Sequence, residues 1–183
     1  KRTGDLMPVM THLGPSASCS IVQYRSRVFG EDYFDNLFVA NFNRHNVTRH
    51  VMEPHGATFR TRDEVFMSSD NPDFHPTCVL EDADGSLLVV DTGGWYKLCC
   101  PTSQLWKPDV VGGIYRIRRS GAPQISDPRG LKIDWNNLKP KQLVRLLDDN
   151  RPRVVARAMQ QLARNPGTAI PALESVLEKS TSE

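Results

Sequence analysis

The chain has 183 residues, 39% of them hydrophobic, which suits one ordinary domain or two small ones and falls short of membrane-protein composition. Lys and Arg number 23 against 21 Asp and Glu, a formal charge of +2, so the balance calls for neither nucleic acid nor an acidic partner. No apolar run approaches the roughly 20 residues that span a bilayer, and residues 1–5 read as neither a signal peptide nor a translation start, so an excerpt from a longer protein is expected. From Ile21 onward, short β-type runs alternate with Gly, Pro, Asn and Asp clusters: 21–25, 36–41, 46–53, 57–60, 64–67, 77–81, 86–91 and 113–119. Runs of this length and spacing predict a sandwich, barrel or propeller. Residues 81–86 are rich in acids and contain Gly85, which can take the positive φ of a tight turn, so 77–91 reads as a hairpin.

Two stretches, 12–41 and 70–91, align as approximate repeats, each a Pro-containing loop leading into two strands. A period of about 55 residues suits propeller blades, and two blades are only part of a ring. After Gly121 the pattern changes: 122–128 holds two prolines and polar residues, and helical spacing comes next. Leu143, Leu146 and Leu147 share one face of a first helix. Pro152 opens a second helix, which carries Val154, Val155, Ala158, Met159 and Leu162. A third, from Thr168, presents Ile170, Leu173, Val176 and Leu177. The expected fold is therefore mainly β, a partial β-propeller of about two blades over 1–122, then a linker over 123–138 and a small helical repeat over 139–183. The four cysteines, Cys19, Cys78, Cys99 and Cys100, form no C-x-x-C pair and no haem-attachment run. Structural disulfides, buried thiols and a redox pair all remain open for them.

The stretch 143–163 resembles a HEAT repeat, with Asp148, Asp149, Pro152, Val154 and Ala158 at the turn and packing positions of that family. The segment 73–96 is similar to a blade of the quinoprotein glucose and sorbosone dehydrogenase-like propellers. That likeness rests on its Phe74-His75-Pro76 entry, its Asp84-Gly85-Ser86 turn, its Asp91-Thr92-Gly93-Gly94-Trp95-Tyr96 exit and the following strand at 113–118. Together they resemble the large membrane-bound dehydrogenases of planctomycetes and their relatives. In those proteins a propeller precedes HEAT repeats and often a haem-binding domain, and the whole is exported. The resemblance implies a periplasmic or extracellular oxidoreductase, which the rest of the protein could hold at a membrane. It would oxidise a sugar or polyol with pyrroloquinoline quinone and calcium, and pass electrons to a haem c cytochrome domain outside this segment. A non-catalytic propeller and HEAT scaffold that binds carbohydrate or protein is the alternative.

In a propeller the loops 16–20, 41–46, 70–76 and 91–112 emerge at one end, where binding residues usually collect. His75 precedes an innermost strand and is a candidate general base toward a sugar hydroxyl, or else a loop histidine satisfying backbone groups. Asn43, Arg44 and His45 are candidates for a quinone carboxylate or substrate oxygens, or else solvated turn residues. Asp91 could bind calcium with loop carbonyls or cap the glycine turn after it. Trp95 and Tyr96 could stack on a sugar or cofactor ring or seal the loop. The same topology brings Cys19 toward Cys99 and Cys100, where a bridge would stiffen the 91–112 loop, in keeping with the export that the resemblance implies.

Overall fold

A computed structural model describes residues 9–94 and 107–178. It is mainly β, with two antiparallel sheets and a few helices toward the C-terminus. The first sheet runs in sequence order through β1 (Ser18–Gln23), β2 (Leu37–Asn41), β3 (Asn46–His55) and β4 (Thr58–Ser68). The second does the same through β5 (Pro76–Glu81), β6 (Leu87–Asp91) and β7 (Gly113–Ile117), and neither sheet closes on itself. Two sequence expectations are corrected at this level. The runs 57–60 and 64–67 are one strand, because β4 pairs with β3 all the way from Thr58 opposite His55 to Ser68 opposite Asn46, with one register shift near its end. The first strand begins at Ser18 and stops before Arg25, whose N–H and that of Ser26 turn away to the Glu81 carboxylate at 2.9 and 2.8 Å.

Alternation along the strands decides what is buried. Phe38, Ala40 and Val47 point to one side of the first sheet and pack on Val79, Leu87 and Val89 of the second, forming a shared core with Tyr24, Phe29 and Phe74. Tyr24 crosses that interface: its hydroxyl donates to the Gly85 carbonyl at 2.6 Å and accepts the Phe29 N–H at 3.3 Å. Burial pushes its phenol up to about 12. On the opposite faces some apolar side chains stay exposed, Ile21 and Val65 on the first sheet and Ile114 on the second, although Val39, Asn41, Asn46, Thr48 and His50 of the first sheet are buried there.

The helices α1 (Pro140–Arg145), α2 (Pro152–Arg164) and α3 (Pro166–Leu177) build a second core. In α2 the buried stripe is Val154, Ala158 and Leu162, one residue every fourth position, while Met159 is exposed. In α3 the buried face differs from the expected one: Ala169 and Ala172 face inward with Leu173 partly covered, and Ile170, Val176 and Leu177 face out. The small alanines permit close helix approach, and starting the helix at Pro166 sets which residues they bring inward. Of the stretch 123–138, the part 130–138 packs onto this core through Ile133, Trp135 and Leu138. Trp135 is buried in it, donates its indole N–H to the Gly130 carbonyl at 2.7 Å and carries the Arg157 guanidinium 4.5 Å over its ring.

Two arginines join the C-terminal part to the β part: Arg153 donates to the Glu81 carbonyl at 2.9 Å, and Arg129 pairs with Asp82 at 2.7 Å. The β5–β6 turn also holds Asp84. Its burial would raise it, but the Ser86 hydroxyl and N–H, Arg118 and Arg116 bring it down to about 2. Asp63, Asp82 and Asp149 are lowered in the same sense: burial would raise the first two but hydrogen bonds outweigh it, and Asp149 is lowered first by its bond from Arg151. A carboxylate lowered in the folded state contributes stability that is full above its unfolded value and lost as pH falls through the folded one. Burial raises Glu81, whose ionised form the fold disfavours, so it opposes this trend. The expected result is a falling urea midpoint between about pH 4 and pH 2, with a shallower fall in Asp84→Asn, measured by fluorescence-monitored unfolding.

Candidate functional site

Three loops converge at one end of the sheets. The β2–β3 connection is a short 3-10 turn, Phe42–Arg44, that ends on His45 in the left-handed region at φ 51. The 69–76 loop anchors beside it, with the Ser69 N–H on the His45 carbonyl at 3.0 Å. The third element is the turn after β6, where Asp91 Oδ1 accepts the N–H groups of His75 and Gly93, both at 2.8 Å. Asp91 therefore caps the glycine turn and ties it to the start of β5.

The outcome is a paired imidazole. The rings of His45 and His75 lie 5.3 Å apart at 64°, and Phe42 stacks on His75 at 4.5 Å and 29°. His75 is buried and His45 half-buried. Each ring is oriented through Nδ1: that of His45 meets the Phe74 carbonyl at 2.6 Å and that of His75 the Gly93 carbonyl at 3.0 Å. A carbonyl only accepts, so both Nδ1 atoms carry the proton and the basic lone pair of each neutral ring sits on Nε2. Lys107 pairs with Asp73 of the 69–76 loop at 2.6 Å.

The other residues expected at this end hold backbone. Asn43 accepts the Ala17 N–H at 2.7 Å and donates to the Pro15 carbonyl at 3.2 Å, and Arg44 donates to the Leu13 carbonyl. Together they strap the segment before β1 onto the turn. Cys19 is an exposed free thiol whose Sγ donates to the Ala17 carbonyl, and Cys78 is a half-buried free thiol. Trp95, Tyr96, Cys99 and Cys100 lie outside the described residues. Among the described residues no three His, Cys, Asp or Glu side chains are placed to hold a metal ion, and no helix is long and apolar enough to cross a membrane.

A second polar cluster escaped sequence reasoning. On the face of the first sheet turned away from the core, His50 Nδ1 bonds Asp63 at 2.8 Å and its Nε2 bonds the Thr48 hydroxyl at 2.9 Å. Asn41 Nδ2 donates to Thr48 and to Asn46, both at 3.1 Å, and Asn41 Oδ1 accepts from Ser16 and Ser18. Asp63 also accepts from Thr11. The available signal was the period of two in Asn46, Thr48 and His50, which puts three polar residues on one face. This carboxylate, imidazole and hydroxyl series has the order of a nucleophilic relay, but Thr48 is buried and its oxygen already accepts from Asn41. Its work is to fasten the segment 10–18 across the sheet.

The class defined by these observations is a mainly-β chain of two sequential meanders with a helical tail, bearing a histidine pair at one loop end. The chain belongs to the family described as Domain of unknown function (DUF7133), whose model matches residues 4–120 and so takes in both sheets. No curated protein and no solved structure matches the chain.

Proposed function

We propose that this chain is part of a β-propeller followed by a HEAT-like repeat, within an exported oxidoreductase that takes hydrogen from a sugar or related alcohol. Its own contribution to the reaction centre is the His45–His75 pair. That pair is the observation that carries the reading: two loops from successive meanders bring two imidazoles together, each with Nδ1 tied to main chain and its basic nitrogen on Nε2. His75 is then the proton acceptor for the substrate hydroxyl, and His45 orients it or shares the proton. The exposed apolar side chains Ile21, Val65 and Ile114 support the propeller, since neighbouring blades would bury them. The Ala158 and Val154 stripe of α2, with α3 directly after it, supports the HEAT-like repeat.

The described residues do not make a calcium or quinone site by themselves. Calcium takes six to eight oxygens, whereas Asp91 is engaged by two N–H groups and no carboxylate cluster accompanies it. Asn43 and Arg44 are held by main chain. No step is derived through either group. The engagement of these three residues favours a second reading, a non-catalytic scaffold binding carbohydrate or protein at the same loop end.

The test is dye reduction by the full-length parent across a sugar panel with pyrroloquinoline quinone and calcium. His75→Asn keeps a donor near the Gly93 carbonyl and removes the base, so kcat should fall roughly 100-fold. Turnover indifferent to His75→Asn would remove the assigned role, and absence of cofactor binding and turnover would favour the scaffold.

A further inference from the structure

We infer that the open edge of β7 is a docking site for an extended segment of a partner protein in which acidic residues alternate with apolar or aromatic ones. The two sheets are unequal: β4 gives the first a fourth strand, whereas among the described residues β7 has no partner beyond β6. Such an edge presents a row of backbone donors and acceptors, and folded proteins normally blunt it with proline, lysine or a bulge. The other outer edge obeys that rule, since the pairing of β4 with β3 shifts between Val47 and Thr48. The β7 ladder has no register shift from Gly113 to Ile117, and the strand contains neither proline nor lysine.

The two faces of the edge state what would suit it. On one face Arg116 succeeds Ile114, and Arg118 continues the alternation just beyond the strand. With Arg129 they surround only Asp82 and Asp84, so three guanidiniums share two carboxylates. A strand laid beside β7 would place acidic side chains opposite these arginines. On the other face are Tyr115 and Ile117, which stand opposite Val89 and Leu87 of the core. Past Ile117 this side opens into a cavity of about 350 Å³ walled by the rings of Phe29, Tyr33 and Phe66, with Arg118, Arg119 and the acidic residue Asp32 also lining it. The rings stand 5.8 to 6.4 Å apart. Arg119 donates to the Phe29 carbonyl and, among the described residues, has no carboxylate within 4.0 Å. Main-chain bonds would supply affinity, and the alternation of acid against Arg116 and Arg118 with an apolar anchor in the cavity would supply selectivity. Self-pairing of β7 in a second copy in the register centred on Arg116 would set arginine against arginine.

The probe is a set of fluorescein-labelled eight-residue peptides alternating Glu with Val or Phe, titrated against the full chain in low salt and monitored by anisotropy. Expected are saturable binding, weakening of roughly tenfold in Arg118→Glu, and loss of binding when alternate peptide amides are N-methylated. The methylated peptides test the edge on the unaltered protein, so the result does not depend on the variant folding. No saturation up to about 1 mM for any peptide overturns the inference. So does binding indifferent to N-methylation or to Arg118→Glu, or dimerisation of the chain that peptide does not compete away.

Discussion

Gly85→Ala is expected to lower unfolding stability by about 2–4 kcal/mol, among the larger effects a single methyl can have here. Gly85 sits at φ +77 in the β5–β6 turn, a region that costs an L-residue roughly 1–2 kcal/mol. The added Cβ would also stand 2.5 Å from Ser26 Oγ and from Val28 Cγ2. Neither neighbour yields easily: Ser26 is fully buried and its oxygen accepts the Val28 N–H. The turn has to shift, and with it the Gly85 carbonyl that accepts the Tyr24 hydroxyl across the two sheets. Chemical denaturation should show a lower midpoint with unchanged slope. Gly56→Ala is the control, because Gly56 shares the positive φ of 61 and its Cβ would meet nothing within 4 Å. A Gly85→Ala loss no larger than that of Gly56→Ala would leave only backbone strain and remove the packing argument.

The contrast between these glycines also marks what was legible in the sequence. The run of acids ending in Gly85 and Ser86 predicts a turn because only local chemistry is involved, and the hairpin forms there. That Gly85 is wedged against Ser26 and Val28 depends on a contact between residues nearly 60 positions apart, which no local pattern encodes. The same division runs through the candidate site. His45 and His75 are recognisable as loop residues at a common end, and the structure brings them together. The stacking of Phe42 on His75 and the main-chain engagement of Asn43, Arg44 and Asp91 come from how loops settle on each other. The His50–Asp63 pair was hidden for a different reason. It lies in the unbroken register that runs from His55 opposite Thr58 to Thr48 opposite Val65, and that register exists only because 58–68 is one strand, whereas the sequence suggests two runs, 57–60 and 64–67, with Asp63 between them. In α3 the apolar residues outnumber the places on the buried face, so spacing alone did not say whether the alanines or Ile170 and Val176 turn inward.

Arg49 gives the second large effect, and it separates charge from hydrogen-bond geometry. Its side chain is only 6% exposed, on the core face of β3 beside Phe38. The guanidinium donates to Asn36 Oδ1 at 2.5 Å, to Glu64 at 2.7 Å and to the Asp32 carbonyl, and lies 3.8 Å over the Tyr33 ring. One side chain thus joins the loop between β1 and β2 to β3 and β4. Arg49→Ala is expected to cost about 3 kcal/mol in urea unfolding, from lost packing and a set of stranded partners. Arg49→Met restores the volume but no donor. If the pair with Glu64 dominated, methionine would come close to wild type, because Glu64 is 39% exposed and hydrates when released. Asn36 is different: it is buried, its amide donates to the Phe34 carbonyl, and its oxygen would lose the Arg49 donor. Leaving that oxygen unpaired costs about 1–3 kcal/mol, so Arg49→Met should remain well below wild type. The double variant Asn36→Ala with Arg49→Met removes the stranded oxygen as well and is expected to lose less than the sum of the two single changes, a coupling that a purely ionic role for Arg49 would not produce.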